Sequence, residues 1–159
     1  MKRLEIFGPG SVGVVERPEP VVGPNQVLVR SEMVGICHSD VELLYGKFIT
    51  DFSYPIVPGH EWVGTVEELG HNVAGFDVGD RVVGLCRVGD NAYFGLNVDG
   101  AASERFAVDA DWLFKVPPTM SSASGALVEP FTVAYYGIDV HGPLPAGDKV
   151  VVLGPADLR

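Results

Sequence analysis

The chain has 159 residues, 47% of them hydrophobic and 20% charged, and a formal net charge of −10. This length fills one domain with a core of its own, and the acidic balance excludes a nucleic-acid surface, which needs Lys and Arg gathered on one face. No run approaches the roughly 18 apolar residues of a membrane-spanning helix, and no apolar signal core follows Met1-Lys2-Arg3, so a cytoplasmic address is the default.

In chain order, short apolar or alternating runs predict strands over residues 4–7 and 26–30. Residues 39–45 place Val41, Leu44 and Tyr45 at helical spacing, with Ser39 or Asp40 as N-cap and Gly46 as terminator. Further strands are expected over 62–67, 81–85 and 104–108, separated by turn signals such as Gly79-Asp80 and Val98-Asp99-Gly100. Between Thr119 and Val140 the composition becomes small and apolar. Pro130 suits the first turn of a second helix, which puts Glu129 at a junction between two helices. Residues 149–154 read as a buried parallel-type strand ending in Gly, the way a dinucleotide fold opens. The expected class is mainly β with short helices (α+β), and many short strands are best used in a closed or partly closed barrel.

Metal-competent side chains fall at a few places. Cys37 and His38 head the short helix, His60 and Glu61 follow Pro58-Gly59, and Glu129 sits at the proline junction. A catalytic zinc takes three ligands from Cys, His and carboxylate and keeps one position open, a requirement that Cys37, His60 and a Glu meet in type. Their wide separation leaves open whether they converge, and an ordinary buried thiol with a turn histidine is the plainer reading. Two cysteines, Cys37 and Cys86, are too few for a disulfide framework, although one bridge between them is compatible with the sequence.

Gly35-Ile36-Cys37-His38-Ser39-Asp40, Pro58-Gly59-His60-Glu61-Trp62-Val63-Gly64, Gly79-Asp80-Arg81-Val82 and Val128-Glu129-Pro130 occur in that order. Together they resemble the zinc-dependent medium-chain dehydrogenase/reductase family of alcohol and polyol dehydrogenases, over essentially residues 1–154. The resemblance implies a GroES-like β-barrel with one catalytic zinc. Cys37 and His60 match the family's zinc ligands. Glu129 matches a position that is Cys or Glu in relatives, and Glu61 one that orders the site or binds zinc. Which glutamate coordinates is open at this level. Ser39 matches the hydroxyl that passes the substrate proton outward, and Asp40 a carboxylate that orients a ligand. The implied reaction is oxidation of a small alcohol or polyol with hydride transfer to NAD(P).

Departures from the pattern qualify this. The lobe that binds a structural zinc in many relatives here carries one cysteine, Cys86, so ligand count excludes that zinc. Glu42 stands where several relatives place a relay histidine. The expected division is a catalytic domain over 1–147 and the first strand of a truncated dinucleotide-binding domain over 148–159. The Gly-x-Gly-x-x-Gly fingerprint is not completed after Gly154, so the isolated chain is expected to be inactive or nearly so. Exposed apolar surface is expected to drive self-association into homo-oligomers. Plainer roles fall to the remaining residues: solvated His38, surface or capping His71 and His141, Cys86 as a small hydrophobe, and Phe52, Tyr54, Trp62 and Trp112 as core. The alternative function is a cofactor-free metal-binding or protein-interaction module, with no nucleic-acid or membrane partner in either case.

Overall fold

A computed structural model describes residues 1–140, 142 and 144–151. Strands β1 (Lys2–Gly8) and β2 (Ser11–Glu16) form an antiparallel hairpin whose turn uses Gly10 at φ 73°. Then come β3 (Gln26–Val34), α1 (His38–Leu44), β4 (Trp62–Leu69), β5 (Arg81–Gly84), β6 (Arg105–Asp109), β7 (Leu113–Lys115), α2 (Ser122–Ala126) and α3 (Val128–Asp139). The last five strands in this series make one antiparallel sheet in the order β6-β3-β4-β5-β7.

The mainly-β class with short helices is therefore as expected. Among the described residues the edge strands β6 and β7 do not pair, so backbone hydrogen bonds leave the sheet open rather than closing a barrel. Two strands escape the sequence pattern. In β2 the apolar Val12 and Val14 face solvent, so alternation carries no core signal, and the three residues of β7 are too few to show a period. Residues 149–151 carry no strand ladder, and the rest of the strand expected over 149–154 lies outside the described residues, as does His141. No helix among the described residues is long and apolar enough to cross a membrane.

The main core lies on one face of the sheet. Val27, Val29, Val66, Val82 and Val108 are almost fully buried there, and burial of each such side chain stabilises by about 1.5–3 kcal/mol. Trp62 packs edge-on to Phe106, with ring centroids 4.8 Å apart. Phe52 and Tyr54 belong to a second cluster with Ile6, Leu43 and Ile56, and Trp112 borders the first, so all four aromatics pack as expected.

A third cluster, Val63, Val83 and Ala126, seats α2 on the sheet. Approach there is close enough that a Cβ on Gly125 would lie 2.7 Å from Val63 Cγ2. An ionic clip reinforces it. The Glu32 carboxylate on β3 receives Arg81 Nη2 from β5 at 2.7 Å, Ser122 Oγ from α2 at 2.7 Å and Thr65 Oγ1 from β4 at 2.5 Å. Arg81 also donates to the Met120 carbonyl just ahead of α2. Four segments distant in sequence thus meet on one carboxylate, which is held down to about pKa 2, first by the Arg81 hydrogen bond.

Candidate metal centre

The site is built where β3 ends and β4 begins. Register shifts between Leu28 and Val29 and between Ser31 and Met33 mark irregularities in the β3–β4 ladder, the kind that bends a strand. Beyond its end the Gly35 amide donates to the Glu61 carbonyl at 2.6 Å, tying the segment before Cys37 to the segment carrying His60. Side-chain space is tight at this seam, since a Cβ on Gly35 would meet Glu61 Oε2 at 2.5 Å.

Cys37 is the N-cap of α1, two residues before Ser39 and three before Asp40, the caps expected from sequence. The correction has a local cause. Asp40, at the third helical position, turns its carboxylate back to accept the Cys37 amide at 2.8 Å, so the carboxylate serves the cap from inside the helix. Gly46 ends the helix at φ 67°, as expected.

His60 is held by an unusual backbone approach. Gly95, at φ 75°, sits so close to the Gly59-His60 peptide that an added Cβ would lie 2.6 Å from the Gly59 carbonyl carbon and 2.7 Å from the His60 nitrogen. Only glycine satisfies both the left-handed conformation and the contact.

Cys37, His60 and Glu61 each offer a ligand atom, and these atoms all lie within 4.8 Å of one another. His60 is buried, and Cys37 and Glu61 are half-buried. Glu129, in the first turn of α3 beside Pro130, stands outside that group but near enough to feel the charge of His60 and Glu61. Burial pushes its carboxyl above the ordinary value, with Glu61 adding to the rise and His60 opposing it. Burial likewise raises Asp40, opposed by the Cys37 amide and by His60, whose Nδ1 is 3.9 Å from Asp40 Oδ1.

Three buried polar atoms around this point lack hydrogen-bond partners: His60 Nδ1, Asp40 Oδ1 and Ser39 Oγ. Unpaired buried polar atoms are costly and rare, and a cluster of them beside a thiol, an imidazole and a carboxylate fits a bound cation and an alcohol hydroxyl. The donor set therefore suits zinc.

Other residues sort as follows. His38 and His71 are exposed, in line with solvated roles, and Glu42 is half-exposed on α1. Cys37 and Cys86 are both free thiols, so no bridge joins them. Cys86 packs as a small hydrophobe against the second cluster, as expected, and it also lies near the site. It borders a cleft of about 560 Å³ with Glu129, and burial together with Glu129 and Cys37 pushes its thiol up to about 12. Nothing in the spacing of the sequence signals this, because the link between Cys86 and Glu129 is made by α2 docking on the sheet. Gly95 carries no sequence signal either, because its approach to Gly59-His60 joins two loops distant in sequence.

Comparison with known proteins gives this geometry a lineage. The family described as "Alcohol dehydrogenase GroES-like domain" matches residues 23–118. The chain belongs to that family. Rat sorbitol dehydrogenase is 34% identical over 95% of this chain and 47% of its own length. Acryloyl-coenzyme A reductase of Sulfurisphaera tokodaii is 32% identical over 97% of this chain and 51% of its own. An alcohol dehydrogenase of Escherichia coli CFT073, solved in complex with NADH, superposes with a TM-score of 0.80 at 29% identity over 89% of this chain and 45% of that one. The chain spans about half the length of the relatives it matches. In this GroES-like domain the candidate centre lies within the matched residues except for Glu129, which falls beyond residue 118.

Proposed function

We propose that these residues form the metal-binding catalytic part of a zinc-dependent alcohol or polyol dehydrogenase that works with NAD(P). The observation that carries the proposal is the convergence of Cys37, His60 and Glu61 within 4.8 Å. Cys37, His60 and Glu61 hold the metal, and Glu129 stands by as a nearby carboxylate. When bound, zinc supplies the Lewis acidity that lets a coordinated alcohol ionise near neutral pH.

The chain's own residues do the rest. Ser39 Oγ, buried and without a partner, takes the proton of the substrate hydroxyl and hands it outward. Asp40 fixes the Cys37 amide with one oxygen and faces His60 with the other, so it orients both proposed ligands. Buried Trp62 and Val63, which follow Glu61 on β4, anchor this segment in the first and third core clusters. Hydride acceptance requires a dinucleotide-binding unit, and residues 148–159 are proposed as the start of one. The 159 residues assayed alone are accordingly expected to turn over alcohol slowly or not at all.

Metal analysis of the purified chain beside Cys37→Ala is the direct test. One zinc per chain, lost in the variant, supports the reading. A chain that binds no zinc, or a Cys37→Ala variant that binds it as well, ends it.

A further inference from the structure

We infer that the alcohol accepted at this site carries an anionic group, a carboxylate or a phosphate, and that Arg87 receives it. This deepens the dehydrogenase reading and rests on it. The cleft of about 560 Å³ beside the candidate metal centre is bordered by Cys86, Arg87, Tyr93, Phe114, Val128 and Glu129. Glu129 and Cys86 both feel the charges of the centre, so the cleft adjoins it.

Arg87 differs from its fellows. Arg3, Arg17, Arg30, Arg81 and Arg105 each have a carboxylate oxygen at 2.5, 2.8, 3.0, 2.7 and 2.6 Å respectively. Among the described residues Arg87 has none, and its Nε reaches only the Gly89 carbonyl, 3.4 Å away in the same loop. In a chain with 21 acidic and 11 basic side chains, a guanidinium kept clear of carboxylates is a charge left available. Its backbone is nonetheless fixed. Arg87 bridges Tyr93, and the Phe94 and Val88 amides donate to the Cys86 and Ala92 carbonyls at 2.8 Å each.

The surroundings give that charge a use. Glu129 on the cleft wall repels the anionic end of a substrate, and Arg87, whose guanidinium is the one cationic side chain among the described lining residues, attracts it. A guanidinium pairs two oxygens of a carboxylate or phosphate in one plane, and apolar walls such as Phe114 and Val128 strengthen the pair by excluding water. An uncharged polyol has no need of such a group.

The test is calorimetric titration of the cobalt(II)-loaded chain with matched pairs: 2-butanol against 3-hydroxybutanoate, and glycerol against glycerol 3-phosphate. At least one anion is expected to bind about tenfold more tightly than its neutral partner. Arg87→Gln should bring that ratio close to one, and Arg87→Lys should keep part of it. The better of the two pairs tells carboxylate from phosphate. Equal affinities within both pairs, no binding by any of the four, or an anion advantage that survives in Arg87→Gln, as direct chelation by the metal would give, overturns the inference. If the chain takes up no cobalt, the metal reading fails instead. The same titrations on the metal-free chain then decide the role of Arg87: an advantage lost in Arg87→Gln upholds it, and none ends it.

Discussion

Asp40 and His60 face each other across the candidate centre, with Oδ1 of one 3.9 Å from Nδ1 of the other, while the second Asp40 oxygen holds the amide of Cys37 at 2.8 Å. One carboxylate thus touches the helix cap that presents the thiol and looks at the ring that presents the imidazole. Asp40→Asn keeps the shape but removes the charge. Its zinc affinity, measured by competition with a chelator, should fall by about 10–100-fold, the range usual for a group that orients a metal ligand. An unchanged affinity would remove Asp40 from the site.

The two glutamates are expected to differ. Glu61 shares the 4.8 Å group with Cys37 and His60, and Glu129 does not. Glu61→Gln should therefore weaken zinc binding more than Glu129→Gln does, as read by the same competition. The reverse order would make Glu129 the third ligand.

The clip between Glu32 and Arg81 makes stability depend on acid. The folded carboxyl is held down to about 2 against an ordinary 4.5, so the unfolded chain takes up the proton first as pH falls. The stabilisation is complete above about pH 4.5 and fades as pH drops towards 2; it amounts to about 3 kcal/mol for a shift of this size. Denaturant melts between pH 2 and pH 6 should show this slope, and Glu32→Gln should flatten it while lowering stability at pH 6. A variant with the same slope as the parent would assign the acid sensitivity elsewhere.

Gly95→Ala is expected to act on both stability and site. The added methyl group meets the Gly59-His60 backbone at 2.6 to 2.7 Å and also strains a residue at φ 75°. A loss of about 1–3 kcal/mol in thermal or denaturant melts is expected, with weaker zinc binding because His60 must shift. A variant as stable as the parent would show that this approach is looser than the structure has it.

Helix α3 and its N-cap Leu127 leave Leu127, Phe131, Tyr135, Tyr136 and Ile138 largely open to solvent. So broad an apolar face favours covering, and the 159-residue chain should self-associate as its concentration rises. Light scattering that finds a monomer throughout a wide concentration range would contradict this.

The sequence by itself determined the mainly-β class, the short helix behind Cys37, the place of Pro130 in the first turn of a second helix and the set of metal-competent residues. These are local matters: turn chemistry, period and residue type act over a few positions, and the family motifs add their order. The tertiary structure decided what depends on distant segments meeting. Irregularities in the β3–β4 ladder and the Gly35 to Glu61 hydrogen bond bring residue 37 against residues 60 and 61, and α2, clipped by Glu32 and Arg81, carries Glu129 and the cleft to the same place. Hydrophobic alternation is blind to such meetings, because it reports which face of a strand is buried and never which other strand or helix buries it.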